Sequence, residues 1–203
     1  MLLPPTGAKH VLNDVMKFKT LKHYDSPGHA HELTFSCHNK QNFLMHDEIC
    51  GRVIEAMQNT RMLHSIHIWA YVLMPNHVHL LIFPLKSEYQ ISKILWALKY
   101  PVSRWAIYHF ESHARDLYAM TEVLSRKGLI THKFWQRGGG YDRNLTTPDI
   151  IRASIDYMHN NPVRKRLVQT ALDWKWSSAG FYAGRATYPM RMDFETLPFN
   201  MRK

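Results

Sequence analysis

Two short patterns in the 203-residue sequence carry side chains able to hold a divalent metal or to act as a nucleophile. The first is His77-Val78-His79. If this stretch is a strand, the two-residue period puts both imidazoles on one sheet face and Val78 and Leu80 on the other. Two imidazoles on one face are half of a divalent-metal site. Taken alone, the pair reads first as partly buried, hydrogen-bonded structural residues, because an isolated His-x-His is a weak signal. His29-Ala30-His31 repeats it in a Gly/Pro-rich stretch with no apolar run to fix it, and is read as incidental. The second pattern is Tyr157-Met-His-Asn-Asn161. On a helix Tyr157 and Asn161, at i and i+4, share a face one turn apart. A tyrosine can serve as a covalent nucleophile, and an asparagine offers a neutral carbonyl oxygen to a metal. A helical tyrosine is also an ordinary core or rim residue. His159 points roughly 200° from Tyr157 on an ideal helix and is set aside as a ligand.

The elements that must hold these residues are legible in outline. His31–Cys37 alternates as a first strand. Asp47 is placed to cap a helix over residues 48–59. Ile66–Leu73 and His77–Phe83 are β-branched and aromatic runs separated by Met74-Pro75-Asn76, and so read as antiparallel neighbours. A helical region spans residues 90–112, where Pro101 is expected to kink or divide it near Tyr100. Lys133–Arg137 reads as a short strand ended by Gly138-Gly139-Gly140. Thr147, Pro148 and Asp149 suit the N-cap and first turn of a helix running to about Asn160. Pro162 then disfavours helical geometry at Asn161. The order predicts an α+β fold: a ferredoxin-like βαββαβ antiparallel sheet with an additional C-terminal tyrosine-bearing helix. The expected organisation is an N-terminal arm at 1–30, one domain at 31–182 and a tail at 183–203.

Composition narrows the partners. Hydrophobic residues make up 45% of the chain, enough for a core and too many for wholesale disorder. The formal charge is +10, from 26 Lys and Arg against 16 Asp and Glu. Residues 126–166 hold nine bases against three acids, interleaved with Phe134, Trp135 and Tyr141, which favours nucleic acid over a membrane surface. No apolar run is long enough to span a bilayer, and no phosphate-loop or dinucleotide fingerprint occurs, so no nucleotide cofactor is expected. Two cysteines, without Cys-x-x-Cys spacing, fit a reducing cytoplasm.

Taken in order, several segments resemble the single-tyrosine HUH transposases of the IS200-like superfamily, most closely the repeat-associated tyrosine transposases of bacteria. They are Tyr71-Val-Leu-Met-Pro-Asn-His77-Val-His79-Leu-Leu, Phe134-Trp-Gln-Arg137, Tyr141-Asp-Arg143, Asp156-Tyr-Met-His-Asn-Asn161-Pro-Val163 and Trp174-Lys-Trp-Ser-Ser178. The resemblance covers about residues 31–182. It implies that His77, His79 and Asn161 bind Mg²⁺ or Mn²⁺ and that Tyr157 is the nucleophile. The implied reaction cleaves and rejoins single-stranded DNA near hairpin or palindromic repeats through a 5′-phosphotyrosine, without ATP. Lys133, Arg137, Arg143, Arg164 and Lys165 are the candidate phosphate contacts. The protein would act as a monomer or homodimer in the cytoplasm, associated with the nucleoid. Three other readings stay open: a descendant that grips hairpin DNA without cutting, a carboxylate nuclease using Asp142, Asp149 and Asp156, and an RNA-recognition module of the same strand order.

Overall fold

The computed structural model describes residues 25–200. Up to residue 24, the arm expected at 1–30 lies outside the described residues. The main sheet contains β1 (Ala30–Ser36), β2 (Ile66–Met74), β3 (His77–Pro84) and β6 (Tyr141–Leu145), hydrogen-bonded in the order β2-β3-β1-β6 with every pair antiparallel. This is the ferredoxin-like arrangement, with β3 and β1 at the centre.

Side-chain alternation divides the core between the two sheet faces. Leu33 and Phe35 of β1, Cys37 just beyond it, and Val78, Leu80 and Ile82 of β3 face α1 (Asp47–His64) and α2 (Ile91–His113). Ala30, Leu81 and Val72 face α4 (Pro148–His159) on the other side. A register shift between Ile68 and Ala70 interrupts the β2 period. Such a bulge turns one side chain over, so Ile66, Ile68, Tyr71 and Leu73 pack towards α1 and α2, whereas Trp69, Ala70, Val72 and Met74 pack towards α4. The link between β2 and β3 is only Pro75-Asn76, whose carbonyls accept from Leu44 N and Cys37 N at 2.9 and 2.8 Å.

Three elements differ from the sequence expectation. Helix α2 runs unbroken through Pro101. Pro101 is exposed, and Leu98, Val102 and Ala106 anchor the helix on both sides of it. Packing therefore outweighs a missing N–H that costs ~3 kcal/mol in a helix interior. Asp47 does not cap α1: His46 is the N-cap, and the Asp47 carboxylate accepts from Lys175 Nζ at 2.6 Å and Trp176 Nε1 at 2.8 Å. Those two bonds hold its pKa below the usual carboxylate value. Lys133–Arg137 makes a single bridge, Cys37 to Trp135, and the fourth strand of the sheet is Tyr141–Leu145 instead. Phe134 and Trp135 are core plugs beneath α2 and not a strand face.

Between α2 and this crossing lie α3 (Arg115–Ala119) and a hairpin of β4 (Glu122–Leu124) with β5 (Ile130–His132). The start of the described chain is also fixed, since Asp25 Oδ1 accepts the N-terminal Ile91 N–H of α2 at 3.1 Å.

The free edge of β2 is covered by residues far along the chain. Leu73 N donates to Trp176 O at 2.9 Å and Ser178 N to Tyr71 O at 3.0 Å. Tyr71 N donates to Ser178 Oγ, and Ile68 N to Asp193 Oδ2. Met190 and Met192 enter the α1/α2 core beside this edge.

Candidate active site

His77 and His79 stand on central strand β3, opposite Ser36 and Thr34 of β1 and on the sheet face that packs against α4. Each imidazole is oriented through Nδ1. Asn76 Oδ1 accepts from His77 Nδ1 at 2.6 Å, and Thr34 Oγ1 bonds His79 Nδ1 at 3.0 Å. Both Nε2 atoms therefore turn inward, 3.1 Å apart. Asn161 Nδ2 lies 2.9 Å from His79 Nε2 and donates to its lone pair. Burial, together with the nearby Lys165 and Lys40 charges, pushes the His77 pKa down to about 4. Burial and His77 itself push His79 down to about 4. At neutral pH both rings are uncharged, the state in which imidazole is a ligand.

Helix α4 delivers the remaining groups. Its start follows the capping logic of the sequence: Thr147 accepts from Ile150 N, Pro148 occupies the first turn and Asp149 faces the helix dipole. Ile151, Ile155 and Met158 seat it on the sheet. The helix ends at His159, and α5 (Asn161–Arg164) resumes one residue later with Pro162 in its first turn, where a missing N–H costs nothing. Helical geometry thus restarts at Asn161, which is 6% exposed and reaches the histidines. Tyr157 is 46% exposed, its hydroxyl bonds no described residue, and the Arg164 guanidinium lies 4.5 Å over its ring.

His159 is turned away as the helix geometry requires. It is buried, with Nε2 2.8 Å from Ser178 Oγ. Burial lowers its pKa to about 4. Because the unfolded chain takes up that proton near pH 6.5 and the native state only near 4, this group's stability is whole above 6.5 and is lost as pH falls towards 4. The loss is on the order of 3 kcal/mol at most. Urea unfolding from pH 7 to 4 is expected to show a steeper loss in the wild type than in His159→Gln, and parallel curves would contradict this.

The five basic candidates part company. Arg164 and Lys165 are exposed in and just after α5, beside Tyr157 and His77. Arg137 is exposed where the glycine-rich loop begins, and Lys133 sits near His38, whose pKa is lowered mainly by burial and then by that lysine. Arg143 bonds the buried Glu32 carboxylate at 2.6 Å on the neighbouring strand. Neutralising Arg164 and Lys165 together, both to Gln, is expected to reduce the slope of log K against log salt for DNA binding by about one to two. An unchanged slope would place the DNA elsewhere.

The three aspartates of the carboxylate alternative do not converge. Asp142 faces the α1/α2 side, bonded to His31 Nδ1 at 2.9 Å, whereas Asp149 and Asp156 are exposed on α4 across the sheet. His31, the second half of the incidental His-x-His, is a fully buried core residue held by Asp142 and Tyr89. Sequence reasoning passed over Thr34 and Asn76, the two side chains that orient the imidazoles. Asn76 could have been found as the residue preceding His77 at the turn, but the Thr34 pairing depends on strand register.

The donor set suits a divalent ion. With Nδ1 of each ring engaged, two Nε2 lone pairs face one another at 3.1 Å. That separation falls within the ~3.0–3.4 Å expected of two nitrogens each about 2.1 Å from one metal. Turning the Asn161 amide over presents Oδ1 at the same place, an O/N assignment that the hydrogen-bond network decides. Among the described residues no three His, Cys, Asp or Glu side chains form a metal-sized group, so an amide third donor is what this centre offers.

Comparison with known proteins bears on the fold and on the family. A solved structure described as a REP-associated tyrosine transposase bound to a REP hairpin superposes with a TM-score of 0.62 at 17% identity, covering 90% of this chain and 96% of that one. A transposase-like protein of Deinococcus radiodurans R1 gives a TM-score of 0.43 at 18% identity over 69% of this chain and 96% of that one. No curated protein matches significantly. At such identities the first likeness speaks for the fold. A family model described as "Transposase IS200 like" matches residues 28–138, more than half of the chain, from the first strand through the paired histidines to the glycine-rich loop. The chain belongs to the IS200-like transposases, a family of DNA-processing enzymes.

Proposed function

We propose that the protein nicks and rejoins single-stranded DNA through Tyr157, within a catalytic unit spanning about residues 31–182. The observation that carries this reading is the convergence of two inward Nε2 atoms and the Asn161 amide one helical turn from an exposed phenol that bonds no described residue. Tyr157 Oη attacks a backbone phosphorus; the new P–O bond forms as the bond to the 3′ oxygen breaks. The phenol gives up its proton, the departing oxygen takes one, and the products are a 5′-phosphotyrosine and a free 3′-hydroxyl. Because the linkage is itself a phosphodiester, attack by a 3′-hydroxyl reverses the step without ATP. Mg²⁺ or Mn²⁺ held by His77, His79 and Asn161 would neutralise charge on the non-bridging phosphate oxygens and fix the strand for in-line attack. Arg164 and Lys165 add fixed positive charge beside the phenol.

The substrate proposed is a hairpin with a single-stranded flank, in keeping with the hairpin bound by the structural neighbour. Such a substrate places the protein with the DNA of the cell interior. The test is incubation with labelled hairpin oligonucleotides drawn from DNA flanking the gene, with Mn²⁺, Mg²⁺ or a chelator, followed by denaturing electrophoresis. A covalent protein–DNA band formed with metal and absent with chelator is expected. Hairpin binding with no band under either metal would replace this reading with that of a non-cleaving DNA-binding descendant.

A further inference from the structure

On the α1/α2 side of the sheet, α2 carries a column of flat side chains that the fold does not use. Trp96 and Tyr100, one turn apart, stack with ring centroids 4.7 Å apart and planes within 13°, and the Arg104 guanidinium continues the column 5.8 Å over Tyr100. Trp96 is 63% exposed and Tyr100 44%. The same helix already buries Ile91, Ile94, Leu95 and Leu98, so these rings are not needed to seat it. One turn before Trp96 stands Ser92, small and exposed, which leaves the far face of the indole uncovered.

The opposite wall is the loop that begins at Gln136. It is pinned to α2, with Lys99 Nζ donating to Gly138 O at 2.8 Å and Trp135 Nε1 donating to Lys99 O at 3.0 Å. Between helix and loop lies a groove of about 430 Å³ that includes Lys99 and Arg137 in its lining and no acidic side chain. It opens at the end of the sheet that carries His77. Gln136 N bonds Ser36 O, and Ser36 opposes His77, so Gln136 and His77 are separated by two strand spacings, about 10 Å.

We propose that this groove is a subsite for an unpaired nucleotide of the single-stranded DNA flank, its base stacking on Trp96 and its phosphates meeting Arg137 and Arg104. An aromatic column bordered by cations and free of acids matches the chemistry of single-stranded nucleic acid: a π-face beside a backbone charge. An apolar protein segment would leave the arginines unpaired. A strand lying here reaches the paired histidines by passing round the end of the sheet. The inference rests on the proposed DNA-cleaving function, and its test separates the two.

Affinity is measured for a blunt hairpin and for the same hairpin with a single-stranded flank, using wild type and Trp96→Ala/Tyr100→Ala. Loss of one stacked base weakens binding by about 5- to 150-fold, the ~1–3 kcal/mol of such a stack at 1.4 kcal/mol per tenfold. That loss is expected for the flanked hairpin only. Equal losses on both DNAs, or none on either, would overturn the subsite. Should the double variant fold poorly, 2-aminopurine scanned along the flank supplies the readout in the wild type, with Trp96→Phe as the milder variant. Quenching at one flank position is expected, and its absence at every position would overturn the proposal. Flank-specific loss in a protein that forms no covalent band would keep the subsite and remove the cleavage reading.

Discussion

Tyr157→Phe is expected to abolish the covalent protein–DNA band and to lower strand cleavage by at least about 10³-fold, while hairpin affinity stays within twofold of wild type. The substitution is clean because of what surrounds the residue. The hydroxyl bonds no described residue, so its removal strands no partner, and the ring under Arg164 at 4.5 Å is retained. Stability should move by no more than about 0.5 kcal/mol, as for a surface change that breaks no network. Only the oxygen proposed to attack is lost. Undiminished cleavage, or a phosphorylated peptide mapping to Tyr141, would remove Tyr157 from the role. A fall in hairpin affinity parallel to the fall in cleavage would show that the phenol serves binding.

The second large effect is expected from a residue that performs no chemistry. Gly140 has φ +84°, a left-handed value, and a Cβ there would lie 2.1 Å from Thr34 O and 3.1 Å from Phe35 Cα. The obstruction is backbone on both counts, so no rotamer relieves it; β1 and the start of β6 must separate. Gly140→Ala should cost more than about 3 kcal/mol, combining overpacking with φ strain, or roughly 6–12 °C in Tm for a domain of this size. The same displacement moves Thr34, whose hydroxyl orients His79, so the folded fraction should also bind Mn²⁺ more weakly. Gly138→Ala is the control. Its φ is +100° with nothing within 4 Å of a Cβ, so it carries strain alone. Equal melting shifts for the two variants would show that the contact with β1 is not what requires glycine at 140.

The parts of this molecule legible in sequence are those set by neighbours along the chain. The β2–β3 hairpin followed from two apolar runs and a Pro-Asn link, and the α4 start from Thr147-Pro148-Asp149, because turns and caps are local. His77 and His79 share a face for the same reason. The fourth strand escaped because an edge strand has polar composition: Tyr141-Asp-Arg-Asn-Leu145 leaves Tyr141 and Arg143 in solvent. The aromatic Phe134-Trp135 drew the assignment instead, and those rings fill the space under α2. The 69–70 bulge escaped because a run apolar on both faces has no alternation to lose. Thr34 belongs to the site through strand register across 45 residues, which no short pattern encodes.

The covering of β2 by residues 176–178 and 193 gives the protein a vulnerable interval during its own synthesis. Strand β2 ends at Met74, and the carboxylate that bonds Ile68 N belongs to Asp193. At ribosomal rates of about 5–20 residues per second, the intervening chain takes roughly 6–24 s to appear. Until Trp176 and Ser178 emerge, the nascent sheet presents a bare row of N–H and C=O groups on a strand with eight of nine residues buried in the finished molecule, and Ile68 N stays bare to the end. Chains released before Ser178 keep that row permanently, and they should be the fragments that chaperones retain or that aggregate first.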